Sequence, residues 1–278
     1  MSADAGYVAS FLRDADRDRY FATLLLREPE RAAIQSLYAF NADVASIRDR
    51  AHEPTAGEIR LQWWADALKG VGHGNVRQNP LAGALLDAID RYSLPSGPLL
   101  RLVAARRFDL YQDAMPDVAS FEGYAGETVS VLYQLAAMIL NGGTEIETGD
   151  AAGHLGVAHA LTGHLRAFGY SASQGRIFLP MNVFAANGVT DGEILAGQES
   201  QGLMAALGQI NDLADEHLAK AEAAITGLPK PLRPAFASAA ILRAQLRRIG
   251  ATRTPFAPTA DLADWRKIAM MGWWALRH

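Results

Sequence analysis

Apolar residues recur every three or four positions along most of the chain, as in Ile34, Leu37, Tyr38 and Val44 and again in Leu132, Leu135, Ala136 and Ile139. That spacing lines one face of an α-helix. Sustained apolar/polar alternation of strand type is missing, so the pattern predicts an all-α chain. Breaks fall at Gly70 to Asn75, Leu94 to Pro98, Met115-Pro116, Asn141 to Gly143, Gly169 to Pro180, Gly227 to Pro229 and Gly250 to Pro258, where glycine and proline interrupt helices. Typical helix and connection lengths then give roughly eight to ten helices with short loops. No internal repeat or low-complexity tract interrupts them.

The longest apolar run, Val129 to Leu140, contains Ser130, Tyr133 and Gln134 and is well short of the ~20 residues of a membrane-spanning helix. It is predicted to be a buried helix. At the other extreme of the chain, Trp265, Ile268, Ala269, Gly272, Trp273 and Leu276 form one helical stripe, predicting a terminal helix packed through that stripe. The basic residues beside it give the same helix a second reading, contact with a membrane surface or a partner, because tryptophan favours such interfaces.

Of the 278 residues, 50% are hydrophobic and 20% charged, enough for a substantial core; the expectation is a single domain spanning 1–278. Abundant alanine and glycine let helix axes approach closely, as in a bundle around a cavity, although a genome-wide alanine bias reads equally well. A net charge of −4 with scattered basic residues argues against a nucleic-acid partner. The absence of cysteine excludes disulfides, thiolate metal sites and a cysteine nucleophile, and fits a reducing compartment. Met1 to Asp14 carries early acids and lacks the basic and apolar regions of a secretory signal, so the expected location is cytoplasmic.

Candidate chemistry centres on two stretches, Tyr38 to Asp49 and Arg166 to Pro180, the latter ending in Gly175-Arg176-Ile177-Phe178-Leu179-Pro180. They resemble the squalene/phytoene synthase family. In that family each of two helices carries paired aspartates, and the second runs into a Gly-Arg-(Ile/Val)-Tyr-Leu-Pro turn. The resemblance continues through Arg19 to Pro29, Gly57 to Leu68 and Phe121 to Thr128, covering the chain from Arg19 to Pro180. It implies an isoprenoid-synthase-type helical bundle around an apolar central cavity. It also implies pocket residues at Tyr20, Phe21, Tyr38, Asn41, Asp49, Arg60, Gln62, Tyr124, Glu127, Arg166 and Arg176.

The departures fall on the metal motifs. Ala45 and Ser46 occupy positions of the first motif, leaving only Asp49, and Ala167 and Ser171 occupy the second. Residues four apart on a helix share a face, so paired carboxylates can hold the oxygen shell of magnesium. One carboxylate cannot hold a multi-metal cluster, and no cofactor is expected. These departures resemble one branch of the family, the relatives of the mitochondrial assembly factor for respiratory NADH dehydrogenase, complex I. That branch implies a catalytically degenerate homologue that acts by binding a respiratory-complex subunit or a prenyl lipid, peripheral on the inner membrane face.

The alternative is an active head-to-head prenyl transferase using farnesyl or geranylgeranyl diphosphate, with Asp49, Asp109 and Asp113 assembling an unusual magnesium site. Asp109 and Asp113 have the paired spacing and follow Arg106-Arg107; a local Asp/Arg ion pair is the plainer reading. Asp212 and Glu216 precede Lys220 and read as surface electrostatics. His154, His159 and His164 are five apart, a net turn of about 140°, so they do not share a helical face for zinc. Gly169 to Arg176 lacks the lysine of a phosphate-binding loop. For Arg176 two readings stay open, anion binding or anchoring of the turn by Asp49 or Glu127.

Overall fold

The computed structural model describes residues 3–51, 53–72 and 74–278. Met1 and Ser2, in the amino-terminal stretch read above, and His73, in the break at Gly70 to Asn75, lie outside the described residues. Sixteen α-helices and no strand are found among the described residues. The first half holds α1 (Ala3–Ala15), α2 (Arg17–Thr23), α3 (Glu30–Ala45), α4 (Ile47–Arg50), α5 (Pro54–Lys69), α6 (Pro80–Tyr92), α7 (Ser96–Ala105), α8 (Val118–Ala125) and α9 (Val131–Leu140). The second holds α10 (Gly149–Arg166), α11 (Phe168–Ser173), α12 (Met181–Ala186), α13 (Asp191–Leu195), α14 (Gln201–Gly227), α15 (Ala239–Gly250) and α16 (Asp264–Arg277).

The helix count exceeds the sequence expectation because single residues divide helices without glycine or proline. Asp16, Ser46 and Ala167 each separate two helices. Asp16 is an N-cap whose side chain accepts the Arg19 N–H at 3.0 Å, a local bond that competes with helix continuation. Elsewhere the punctuation acts as read. Pro54 opens α5 and Gly70 ends it at φ +71°, a left-handed conformation that glycine adopts without a Cβ penalty. Asn79 caps α6 by accepting from Leu81 and Ala82 at 3.0 and 3.2 Å.

The bundle is organised around α10 and α14, which pack along one another. The inner stripe of α14 alternates Leu203, Ile210, Leu218 and Ile225 with Ala206, Ala214 and Ala221, all buried; the alanines let the axes approach while the larger residues fill the space between. Gly156 on α10 meets the π-helical turn Gly126–Ser130 that joins α8 to α9. A Cβ at Gly156 would stand 2.6 Å from the Ser130 backbone, so here close approach requires glycine. Helix α9 is buried as expected. No helix among the described residues is long and apolar enough to cross a membrane.

The terminal helix corrects one expectation. The stripe of Trp265, Ile268, Trp273 and Leu276 faces outward, with exposures of 70, 46, 59 and 82%. The opposite face, with Lys267 and Met271 buried, packs on α2 and α15. Lys267 sets this roll. Its ammonium lies 2.5 Å from Asp18 and 2.6 Å from Asp261, and Gln245 and Arg166 reach the same Asp18 carboxylate.

Candidate functional site

The Gly175–Arg176 pair ends α11 in a Schellman turn. The Arg176 N–H bonds to the Ser171 carbonyl at 3.0 Å and the Gly175 N–H to Ala172 at 2.9 Å, with Gly175 at φ +73°. This geometry satisfies helix-end carbonyls and needs glycine at the left-handed position. The following residues run beside Met115, bonded through Met115 N–H to Ile177 and Met181 N–H to Met115. Arg176 is thereby turned back onto α4, where its guanidinium donates to Asp49 at 3.4 Å and to the Arg48 carbonyl at 3.3 Å. Of the two readings of Arg176, the anchor to Asp49 is present; Glu127 pairs with Arg101 instead.

Behind this anchor lies a buried polar network. Arg106 donates to Asp109 at 3.0 Å, to the Tyr124 hydroxyl at 2.8 Å and to Asn41 at 3.3 Å, and Tyr124 donates to Asp109 at 2.6 Å. All four residues are buried, so each polar group depends on the others for the hydrogen bonds that water would otherwise supply. Burial, first, and the neighbouring Asp109 raise the Tyr124 phenol despite the opposing charge of Arg106, which keeps it a hydrogen-bond donor. Asp109 sits in a 3-10 turn, Arg106–Leu110, while Asp113 lies beyond it and is exposed. The two acids therefore do not share a helical face, and of the two readings the plainer one is present: Asp109 pairs with Arg106, not with Asp113.

Guanidinium and imidazole groups surround this network. Arg48 lies over the Phe178 ring at 4.8 Å, and His164 stacks on the same ring at 4.9 Å. Arg19, bound to Asp16 at 2.6 Å, lies over Tyr38 at 5.6 Å. Tyr133 and His159 share a 2.6 Å hydrogen bond. Among the described residues the Nε atoms of Arg19 and Arg106 have no hydrogen-bond partner, and that of Arg48 faces only Asp49, at 3.5 Å. His159 and His164 are half-buried, yet burial, joined by the charges of Arg19 in one case and of Arg48 and Arg106 in the other, pushes both down to about 3. Both rings pack within the bundle, His164 on Phe178 and His159 against Tyr133, where the charged imidazolium is poorly solvated.

The remaining candidates are dispersed. Tyr20 and Phe21 are half-buried neighbours on α2, and Phe21 packs toward the cluster beneath α16. Arg60 borders a 220 Å³ surface pocket with Trp63 and Trp64, and exposed Gln62 bonds to Asp66 at 2.7 Å. Glu127 borders a separate 470 Å³ pocket with Glu122, His154 and His217. Arg166 pairs with Asp18 and Asp261. Structure thus joins Asn41 with Tyr124, and Asp49 with Arg176; Arg60, Gln62 and Glu127 stand apart from both. Sequence reasoning missed Arg106 as the hub. Its signal was present, since Leu99, Leu102, Val103 and Arg106 continue one helical face, and a cation on an apolar face demands a buried partner.

Magnesium, which the fold family implies, does not fit this donor set. Ala45, Ala167 and Ser171 offer no carboxylate, and Asp49 faces Arg48 at 3.5 Å and Arg176 at 3.4 Å. No group of three or more metal-ligating side chains is assembled among the described residues. What the site offers is cationic and aromatic surface, suited to anions and π systems rather than hard cations.

Comparison with known proteins agrees with this architecture. NADH dehydrogenase (ubiquinone) complex I, assembly factor 6, of Homo sapiens is 30% identical over 243 residues, 87% of this chain and 73% of that protein. Phytoene synthase 1, chloroplastic, of Arabidopsis thaliana is 28% identical over 186 residues, 64% of this chain and 43% of that protein. A solved dehydrosqualene synthase in complex with ligand has the same fold, with a TM-score of 0.81 over 97% of this chain and 94% of that one at 19% identity. The family model for squalene/phytoene synthase matches residues 12–268, and the chain belongs to that family.

Proposed function

We propose that this chain is a non-catalytic member of the squalene/phytoene synthase family that acts by binding, in the assembly of respiratory complex I at the inner face of the membrane. The observation that carries the reading is the replacement of the paired carboxylates by Ala45, Ala167 and Ser171, with the surviving Asp49 held between two arginines. Departure of diphosphate needs a field of cations to stabilise the leaving polyanion, and magnesium supplies it only where oxygen ligands hold it. The similarity to assembly factor 6, spanning more of the chain than that to phytoene synthase 1, supports the same direction.

The interior remains suited to a ligand. In this reading the rings of Phe108, Phe121 and Phe178, which pack together inside the bundle, would part around an apolar chain such as a prenyl tail, and the Arg48 and Arg106 guanidinium groups would donate to its anionic or carbonyl head. No metal is required for either contact.

The test incubates the purified chain with farnesyl and geranylgeranyl diphosphate, with and without magnesium, and measures diphosphate release and condensed product. In parallel, complex I is quantified on native gels from cells lacking the gene. The expected result is no turnover together with loss of assembled complex I. Magnesium-dependent release with a condensed hydrocarbon would establish the prenyl transferase alternative instead.

A further inference from the structure

We propose that the outer face of α16 is a docking surface for an anionic lipid bilayer. This inference concerns a surface remote from the buried arginine network and holds whether or not that interior turns over a substrate. Trp265, Ile268, Trp273 and Leu276 are exposed on the side of α16 facing away from the core. Four large apolar side chains on one helix face exceed the scattered hydrophobics of an ordinary surface.

The charge on this face selects the partner. Asp264, the only acid of α16, is neutralised by Arg17 at 3.1 Å. Lys267 is consumed beneath the helix by Asp18 and Asp261. Arg266 and Arg277 remain outside, lying over the Trp265 and Trp273 rings at 5.7 and 4.7 Å. A shallow 490 Å³ depression beside them is lined by Arg247, Arg248, Trp265, Arg266 and Met270. The chain as a whole is negative, at −4, yet among the described residues no carboxylate pairs with Arg247, Arg248, Arg266 or Arg277, and the nearby Asp264 is taken by Arg17. Lipid phosphates complement those arginines, tryptophan rings suit the headgroup level, and Leu276 and Ile268 suit the acyl boundary beneath it. A protein partner would more often meet an apolar centre with charge confined to the rim. Here cations and tryptophans alternate along the helix.

The roll of α16 is held from below, so the outer face is presented without rearrangement. The buried ammonium of Lys267 bridges α2 and the segment before α16. Docking therefore pays little ordering entropy.

The experiment is flotation of the full chain with vesicles of phosphatidylcholine alone or mixed with phosphatidylglycerol, at low and high salt, together with tryptophan emission. The expected result is flotation with the anionic vesicles, weakened by salt, and a blue-shifted emission. Removing two surface charges in Arg266→Gln/Arg277→Gln lowers partitioning by about thirty-fold, and Trp273→Ala/Leu276→Ala abolishes the emission shift. All four residues are exposed, and unchanged circular dichroism and melting confirm that the variants fold. Failure of the wild-type chain to float with either vesicle overturns the proposal, as does flotation insensitive to both double variants. Self-association through these same residues, with no affinity for vesicles, assigns the face to a second copy and likewise overturns it.

Discussion

Two buried cations, Arg106 and Lys267, are held by the protein in different ways. Arg106 has partners that are themselves buried: Asp109 is 2% exposed and Asn41 4%. Lys267 is equally buried, but its carboxylates reach toward solvent, with side-chain exposures of 15% for Asp18 and 41% for Asp261. A network closed off from water has no substitute partners, so it is retained or lost as a unit. A cation whose partners touch water forms a local fastening, because solvent can take over part of its role. The first holds the interior of the bundle; the second holds a helix against the outside.

The largest effect that separates the two is expected from Asp109→Ala. It strands Arg106 in the interior and costs about 3–5 kcal/mol in denaturant unfolding. A loss below about 1 kcal/mol would show that water reaches the network and erase the contrast.

Lys267→Ala is expected to cost less, about 1–3 kcal/mol, and to act locally. Hydrogen exchange should quicken in α16 well before the bundle core. Uniform acceleration across α10 and α14 would show instead that the fastening is part of the global fold.

A pH titration reads the interior through its two histidines. His159 and His164 are pushed down to about 3 in the folded protein, against about 6.5 when unfolded. The unfolded chain binds more protons between these values, so stability falls as pH drops below about 6.5 and keeps falling until about 3. Between pH 7 and pH 6 the loss is modest. His159→Gln/His164→Gln should flatten that slope, and an unchanged slope would place the pH dependence in other groups.

The smallest change is expected on the outside. Trp273→Ala should alter stability by no more than about 0.5 kcal/mol, because the ring is 59% exposed. A larger loss would mean that the outer face of α16 is packed in solution.

Much of the fold was legible. Helical periodicity marked the all-α class, and the Gly175–Pro180 turn marked the family. The candidate site was legible only in part. Asn41, Tyr124, Asp49 and Arg176 were found through motif positions, whereas Arg106, His159 and His164 carry no motif and join Arg19 and Arg48 only when α2, α4, α10 and the turn after α7 converge. Asp109 and Asp113 looked paired because spacing assumes a continuing helix, and the 3-10 turn ends after Leu110. The terminal helix was misread for a different reason: both of its faces are apolar, Trp265, Ile268 and Leu276 on one side and Met271 and Trp274 on the other.

The sequence by itself determined the helices, their caps and the loss of the paired carboxylates, because these depend on residues a few positions apart and on side-chain chemistry alone. Tertiary structure decided which cation meets which carboxylate, and so which face of α16 turns outward. Asp18 and Lys267 are separated by 249 positions. Periodicity carries no information across such a distance, and the energy that chooses between two apolar faces comes from that contact.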